Sequence, residues 1–206
     1  MKSVKQILSA IFAGIMISIG GCVFLVAESK LAGSLLFATG LTTILIFGFL
    51  LFTGKTAYLM ENNLSYLGYL FKIWVGNLIG CAGIGVLIKF ARPNIAEAAQ
   101  KICELKLEQA WWQTILLGAL CGILVYIAVD YFKSDKDQKP LPKYILTFCC
   151  ISIFILCGFE HSVADMFYFA VSDKLYSLEG ILYILLVTLG NIIGAVLFHE
   201  GRKQVK

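Results

Sequence analysis

Charged side chains are scarce in this chain. Asp, Glu, Lys and Arg make up 15% of its 206 residues, whereas hydrophobic residues make up 59%. A soluble domain carries about 25% charged residues, so the shortage excludes an ordinary soluble protein. Several apolar runs reach the roughly 20 residues that cross a bilayer as a helix. We therefore predict an all-α polytopic membrane protein with a single transmembrane domain over residues 1–206.

Other absences remove further classes of function. None of the seven cysteines forms a CxxC pair, and no His/Cys cluster has the spacing of a zinc site. No dense basic run with interleaved aromatics points to nucleic acid, and the net charge of +4 is better explained by orientation in a membrane. We expect no metal, no cofactor and no nucleic-acid partner.

Polar interruptions divide the apolar sequence into six predicted spans. The second is helical to Phe52 and broken at Thr53–Thr56, and the fifth is broken within Gly158–Phe167. Arg92 to about Glu108 is predicted to be a polar loop, and Lys133–Lys143 a charged connection. The spans lie at about 7–27, 33–60, 69–90, 110–132, 144–171 and 181–198.

The two halves of the chain resemble each other. Gly-Asn-Leu-Ile-Gly at Gly76–Gly80 returns as Gly-Asn-Ile-Ile-Gly at Gly190–Gly194, each time after a broken helix. Three spans repeated once force the second copy to be inverted, and inverted repeats whose broken helices meet near the midplane are typical of transport proteins. We predict an aquaporin-like inverted 3+3 repeat over about 5–91 and 109–200, with Asn77 and Asn191 as supporting polar residues.

The distribution of basic residues predicts an orientation. With the N-terminus inside, most of the 17 Lys and Arg residues fall on the inner side, as the positive-inside rule requires. Six spans then place both termini of this cell-membrane protein in the cytoplasm. The residues assigned to the inner side are Lys2, Lys5, Lys55, Lys72, Lys133, Lys136, Lys139, Lys143, Arg202, Lys203 and Lys206.

Gly158–Phe167 places Glu160, His161 and Asp165 inside an otherwise apolar span. A charge at membrane depth costs roughly 2.5–3.5 kcal/mol on insertion scales, so the stretch is a functional-site hypothesis by itself. Adjacent helical residues do not face each other. We therefore expect Glu160 to bond backbone N–H groups freed by the helix break, while His161 meets the substrate. A packing role or haem ligation are the alternatives for His161, although His199, the other histidine, lies at a helix end.

Leu51–Gly54, Gly158–Phe167 and Gly190–Gly194 resemble signatures of the formate/nitrite transporter family, which also includes hydrosulfide and lactate channels. The family's signatures look like Leu-Phe-Thr-Gly-Asn, Gly-Phe-Glu-His-Ser-Val-Ala-Asn-Met-Phe and a Gly-Asn-Ile-Ile-Gly-type motif. Lys55 and Asp165 stand where the first two signatures have asparagine.

The resemblance implies an aquaporin-like six-helix protomer, assembled as a homopentamer with one pore per protomer. It implies that His161 and Thr53 form the pore centre and that Lys106 is a vestibule lysine. Many members carry an asparagine near the histidine where this chain has Gly122, so part of that polar network is missing or replaced. Two apolar constrictions carry over by position to Phe37, Leu41, Leu51, Phe52, Val125 and Phe154.

These residues favour a channel or proton-linked transporter, not an enzyme, for small monovalent weak-acid anions such as formate, nitrite or hydrosulfide. An anion in an apolar pore pays a large desolvation cost, which its neutral acid largely avoids. Lys106 attracts the anion, the falling dielectric raises the acid's pKa, and Thr53 and His161 hydrogen-bond the substrate. Either His161 or water supplies the proton. A neutral-solute or gas channel, and a haem protein or membrane enzyme, are the alternatives.

Overall fold

The computed structural model describes residues 2–134 and 140–205, and these fold into helices and connecting turns. Two short 3₁₀ segments, Thr56–Glu61 and Lys174–Tyr176, accompany the α-helices. Lys136, Lys139 and Lys206, which the sequence assigns to the inner side, lie outside the described residues. The α-helices are α1 (Lys2–Val26), α2 (Lys30–Phe47), α3 (Ser65–Ala91), α4 (Pro93–Leu107), α5 (Trp111–Lys133), α6 (Pro140–Leu156), α7 (Ser162–Val171) and α8 (Leu178–Gln204).

Five of these helices, α1, α2, α3, α5 and α8, are long and apolar enough to cross a membrane. The 17-residue α6 and the 10-residue α7 are shorter apolar helices on either side of the predicted fifth break. The prediction of an all-helical membrane protein is confirmed. The element order also fits six spans in an inverted repeat, which stays a prediction.

The predicted end of the second helix is wrong. Helix α2 stops at Phe47, five residues before Phe52, because Gly48 takes a left-handed conformation with φ of 69°. The Phe49 N–H then donates to the Ile44 carbonyl at 2.9 Å, which closes the helix end in a Schellman motif. The break therefore extends from residue 48 to residue 55, and the chain becomes helical again only as a 3₁₀ segment.

The fifth span ends its first part in the same way. Gly158 has φ of 67°, and the Phe159 N–H donates to the Phe154 carbonyl at 2.8 Å. Only glycine reaches this backbone region without a steric penalty from a Cβ. Both breaks thus begin at a glycine in the left-handed backbone conformation.

The predicted polar loop between Arg92 and Glu108 is also wrong, because Pro93–Leu107 forms α4. Proline is favoured in the first turn of a helix, where its missing N–H has no partner to lose. Ile95, Ala99 and Cys103 are buried at four-residue spacing and anchor the helix along one face. The polar remainder of the segment is the opposite face of this helix.

Gly122 lies where two helices cross, and this explains the absence of a larger side chain. A Cβ added there would come within 2.3 Å of the Asn191 backbone oxygen on α8. A Cβ added to Gly14 on α1 would likewise come within 2.3 Å of the Asn77 backbone oxygen on α3. The position is therefore a packing point between α5 and α8.

Gly122→Ala is expected to destabilise the protein by about 1–3 kcal/mol, since the added methyl group meets backbone that cannot rotate away. The thermal unfolding midpoint of the detergent-solubilised protein measures this. Gly83→Ala is the matched control, because a Cβ at Gly83 meets nothing within 4 Å. Equal midpoints for the two variants would contradict the crossing geometry.

Candidate functional site

Asn77 holds the first helix break in place. Its Oδ1 accepts a hydrogen bond from the Phe52 N–H at 2.9 Å, and its Nδ2 donates to the carbonyls of Ala10 at 2.7 Å and Leu50 at 2.9 Å. An unpaired backbone group at membrane depth costs several kcal/mol. One buried side chain therefore satisfies a donor and an acceptor of the break and ties both to α1.

Asn191 does the same for the second break. Its Oδ1 accepts from the Ser162 N–H at 2.9 Å, and its Nδ2 donates to the carbonyls of Gly118 and Glu160, both at 2.8 Å. The Glu160 N–H donates to the Leu117 carbonyl at 3.3 Å. The expectation that the Glu160 carboxylate would bond these freed backbone groups is therefore wrong, because Asn191 and a neighbouring carbonyl bond them.

Thr53 and His161 meet where the two breaks approach each other. Thr53 Oγ1 lies 2.9 Å from His161 Nε2, and both side chains are buried. His161 is also the N-cap of α7, since its Nδ1 accepts the Ala164 N–H at 3.2 Å. A nitrogen that accepts a hydrogen bond carries no proton. The imidazole is thus neutral with its hydrogen on Nε2, and it donates to Thr53.

The cavity on one side of this pair, which we call the Lys106 cavity, has a volume of about 320 Å³. Two aromatic rings close it near His161: Phe154 stacks on the imidazole at 5.6 Å, and Phe37 packs edge-on against Phe154 at 6.2 Å. Its polar lining residues are Lys30, Lys106, Gln109, Glu160, His161 and Asp165.

Lys106 forms a buried ion cluster at the wall of the Lys106 cavity. Its ammonium pairs with Glu160 Oε2 and lies 3.0 Å from Asp165 Oδ1. The Lys106 side chain is 14% exposed, and each carboxylate side chain is 1% exposed. Gln109 Nε2 donates to Glu160 Oε1 at 3.0 Å. Lys106 is therefore a paired residue of α4 and not a solvated loop lysine.

A second, much smaller cavity of about 10 Å³ adjoins the first break, and we call it the Lys55 cavity. Leu41 and Leu51, two of the residues carried over as constrictions, line it together with Gly54, which follows Thr53. Lys55 and Lys133 also line it. His161 thus lines a cavity with carboxylates, and the residue next to Thr53 lines a small one with two lysines.

The structure does not bring all six apolar residues to these cavities. Phe37 and Phe154 line the Lys106 cavity, whereas Phe52 lines a separate lateral groove with Trp74 and Leu59. Val125 is buried in α5, one turn before Val129, and it is Val129 that lines the Lys55 cavity. Because Phe52 lies in the non-helical break, the sequence has no helical or strand periodicity there that would predict the direction of its side chain.

Gln109 is a site residue that the sequence reasoning missed. It lies just past the end of α4, where a turn bonds the Gln109 N–H to the Lys106 carbonyl at 3.2 Å. Its place beside Lys106 follows from the end of a helix that the sequence did not predict. Lys30 and Lys133 line the two cavities, whereas the sequence indicated only their contribution to the orientation in the membrane.

Two broken helices, bonded through buried asparagines and meeting at a buried polar pair beside a cavity, are typical of a membrane channel or transporter. The model of the formate/nitrite transporter family matches residues 1–201. The chain belongs to this family. The membership fits the expectation of a transport protein rather than an enzyme.

Individual relatives agree with this assignment. The chain is 31% identical to the nitrite transporter NirC of Escherichia coli over 180 residues, which cover 79% of this chain and 66% of NirC. It is 28% identical to the formate channel FocA of Haemophilus influenzae over 151 residues, covering 68% of this chain and 52% of FocA. The matched region is therefore only part of the length of these relatives.

A solved structure, a pentameric formate channel with formate bound, has the same fold. Its TM-score to this chain is 0.82 at 24% identity, covering 99% of this chain and 97% of that chain. The family model confirms the predicted family, and this likeness confirms the all-helical fold, whereas the six-span inverted repeat stays a prediction.

Asn191→Ala is expected to lower the free energy of unfolding by several kcal/mol, because it leaves the Ser162 N–H and two carbonyls without their partner, at about 1–3 kcal/mol for each. Thermal unfolding in detergent measures the loss. Asn94→Ala, at an exposed position of α4, is the control. An Asn191→Ala protein as stable as this control would show that the break does not depend on Asn191.

Proposed function

We propose that the chain is a channel or proton-linked transporter for small monovalent anions of weak acids, with formate, nitrite and hydrosulfide as candidate substrates. The observation that carries the proposal is the buried Thr53–His161 pair at the meeting point of the two breaks, where His161 lines the Lys106 cavity. The protein would act in the cell membrane as a homopentamer with one pore per protomer. The relatives named for nitrite and formate, and the pentameric solved channel, support substrate class and assembly.

The hydrogen bonds of the pair suggest how the substrate is held. Because His161 donates to Thr53 Oγ1, the Thr53 hydroxyl hydrogen can turn toward an oxygen of a bound formate or nitrite. Among the described residues, Thr53 Oγ1 has no other hydrogen-bond partner. The substrate would thus meet a donor at the point where it has lost most of its water.

The N-cap bond restricts His161 as a proton source. Its only proton is on Nε2, and losing it would leave an imidazolate. A second proton on Nδ1 would require the hydrogen bond to the Ala164 N–H to break. We therefore expect the proton that neutralises the substrate to come from water or from another group of the cavity, because this leaves the hydrogen bonds of His161 intact.

Apolar side chains next to the pair make protonation of the substrate favourable. We propose Phe37 and Phe154 as the constriction of the Lys106 cavity, and Leu41 and Leu51 as that of the Lys55 cavity. Val125 and Phe52 are carried over from the family resemblance alone. An ion is costly in such surroundings, whereas its neutral acid is not.

The charge distribution supports an orientation with both termini in the cytoplasm. Lys55, Lys133 and Arg202 would then lie on the inner side, and Lys106 would face the outside. The Lys106 cavity would be the outer vestibule, and the Lys55 cavity the inner one.

Thr53→Val removes the hydroxyl with little change of volume and is expected to lower anion flux about tenfold, the equivalent of one substrate hydrogen bond. Proteoliposome uptake of formate, nitrite, hydrosulfide, acetate and lactate across pH measures it and identifies the substrate. His161→Phe is expected to reduce flux at least as strongly while the oligomer still assembles.

The matched control for this experiment is Thr39→Val. Thr39 is an exposed threonine of α2 whose hydroxyl bonds only the Leu36 carbonyl among the described residues. Flux of every anion equal to wild type in both Thr53→Val and His161→Phe would contradict the pore-centre role of the pair.

Lys106→Ala is expected to weaken uptake most at low substrate concentration, because it removes the cation at the cavity wall. It also leaves two carboxylates without their partner, and breaking a buried pair costs about 3–5 kcal/mol. Initial uptake rates against concentration and the unfolding midpoint measure the two effects. Lys101→Ala, exposed on the same helix, is the control, and an unaltered concentration dependence would make Lys106 a structural lysine only.

A further inference from the structure

Asp165 belongs to an ion cluster that holds two carboxylates but only one cation. Lys106 is paired with Glu160 and Asp165 at once; both carboxylate side chains are buried, and the Lys106 side chain is largely so. One ammonium balances one carboxylate. If both acids were ionised, the wall of the Lys106 cavity would carry one uncompensated negative charge.

The groups around Asp165 do not supply the missing positive charge. His161 is neutral in the observed hydrogen bonds, and Lys30, which also lines the cavity, is exposed and forms no ion pair with the cluster. Among the described residues, no second buried cation faces the cluster. The remaining titratable groups near Asp165 or its helix are thiols and phenols, which are ordinarily neutral at pH 7. They are Cys103 on α4, Cys121 on α5, Tyr168 on α7 itself, Tyr183 on α8, Cys22 on α1 and Cys81 on α3.

The hydrogen bonds of the two acids distinguish them. Glu160 has a partner on each oxygen, with Lys106 at Oε2 and Gln109 at Oε1. Asp165 has Lys106 at Oδ1, but its buried Oδ2 has no partner. A buried charge without compensation takes up a proton instead. The unpartnered oxygen is the place for that proton.

We propose that Asp165 holds an exchangeable proton on Oδ2 and that this proton sets the pH range in which the Lys106 cavity admits an anion. With the proton, the cluster of Lys106, Glu160 and Asp165 is neutral at the wall of a cavity of about 320 Å³. Without it, the cluster carries a net negative charge that repels the anion. Anion flux is then highest at low pH and falls as the pH rises through the titration of Asp165.

This inference rests on the proposed anion transport, and Asp165→Asn tests it. Asparagine has nearly the same shape and is neutral at every pH. Formate and nitrite uptake into proteoliposomes is measured from about pH 5 to about pH 9, and the flux of the variant is divided by that of wild type at each pH. The ratio removes the substrate's own titration. It should be near one at low pH and rise up to about tenfold per pH unit above the titration midpoint.

Two further variants keep the result interpretable. Asp165→Glu retains a titratable group and should keep a pH-dependent flux like that of wild type. Asp173→Asn removes an exposed carboxylate that pairs with Lys89 just beyond the end of α7, and its ratio to wild type should not change with pH. A flat ratio for Asp165→Asn over the whole range would overturn the proposal.

Infrared spectroscopy of the purified protein tests the proton without transport. The wild type should show a carbonyl stretch of a protonated carboxylic acid at neutral pH, which Asp165→Asn lacks and Asp173→Asn retains. Absence of this band from the wild type would overturn the proposal even if flux varied with pH. If the wild type carried none of the anions, the proposed function would fail, while the band would still decide the state of Asp165. If Asp165→Asn did not assemble, the wild-type band and Asp165→Glu would decide it.

Discussion

The need to bond backbone groups at membrane depth governs this structure. Each helix break frees N–H and C=O groups in surroundings where water is scarce, and each unpaired group costs several kcal/mol. Asn77 and Asn191 remove that cost with three hydrogen bonds apiece, to the break and to the first helix of the same repeat. Without these bonds the chain would gain stability by continuing each helix. The polar centre of the protein can form because two amide side chains satisfy the hydrogen-bonding groups of its irregular backbone.

The two asparagines also show how two similar helix breaks come to hold different side chains. Asn77 bonds the carbonyl of Leu50 and the N–H of Phe52, so Leu51 lies between the two bonded groups. Asn191 bonds the carbonyl of Glu160 and the N–H of Ser162, and His161 lies between them. The backbone chemistry is therefore kept in both copies, while the side chain held between the two bonds differs. One copy presents an apolar side chain to its cavity, and the other presents the imidazole.

Sequence reasoning reached the parts of the protein that depend on local chemistry. The ionisable stretch around His161, the repeated Gly-Asn motifs and the second break all follow from residue types and spacing. The early end of α2 did not, because the apolar run continues past Gly48 and conceals the change of backbone. Helix α4 was missed because its polar face outweighed the buried stripe of Ile95, Ala99 and Cys103. The partners of Glu160 lie more than 50 residues away in sequence, at separations of 54 to Lys106 and 51 to Gln109, and no local pattern reports them.

The ion cluster changes what a lysine in this cavity does. A free ammonium would attract anions at any pH, but the charge of Lys106 is already shared between two carboxylates. Its effect on an incoming anion therefore depends on how many protons those carboxylates hold. The Lys55 cavity differs, since among the described residues two lysines and no carboxylate line it. The net charge at the Lys106 end of the proposed pathway therefore depends on the protons held by carboxylates, whereas at the Lys55 end it depends on lysines. Two helix breaks with similar backbone bonding are thus flanked by ionisable groups of opposite sign, and the two ends of the pathway respond differently to pH.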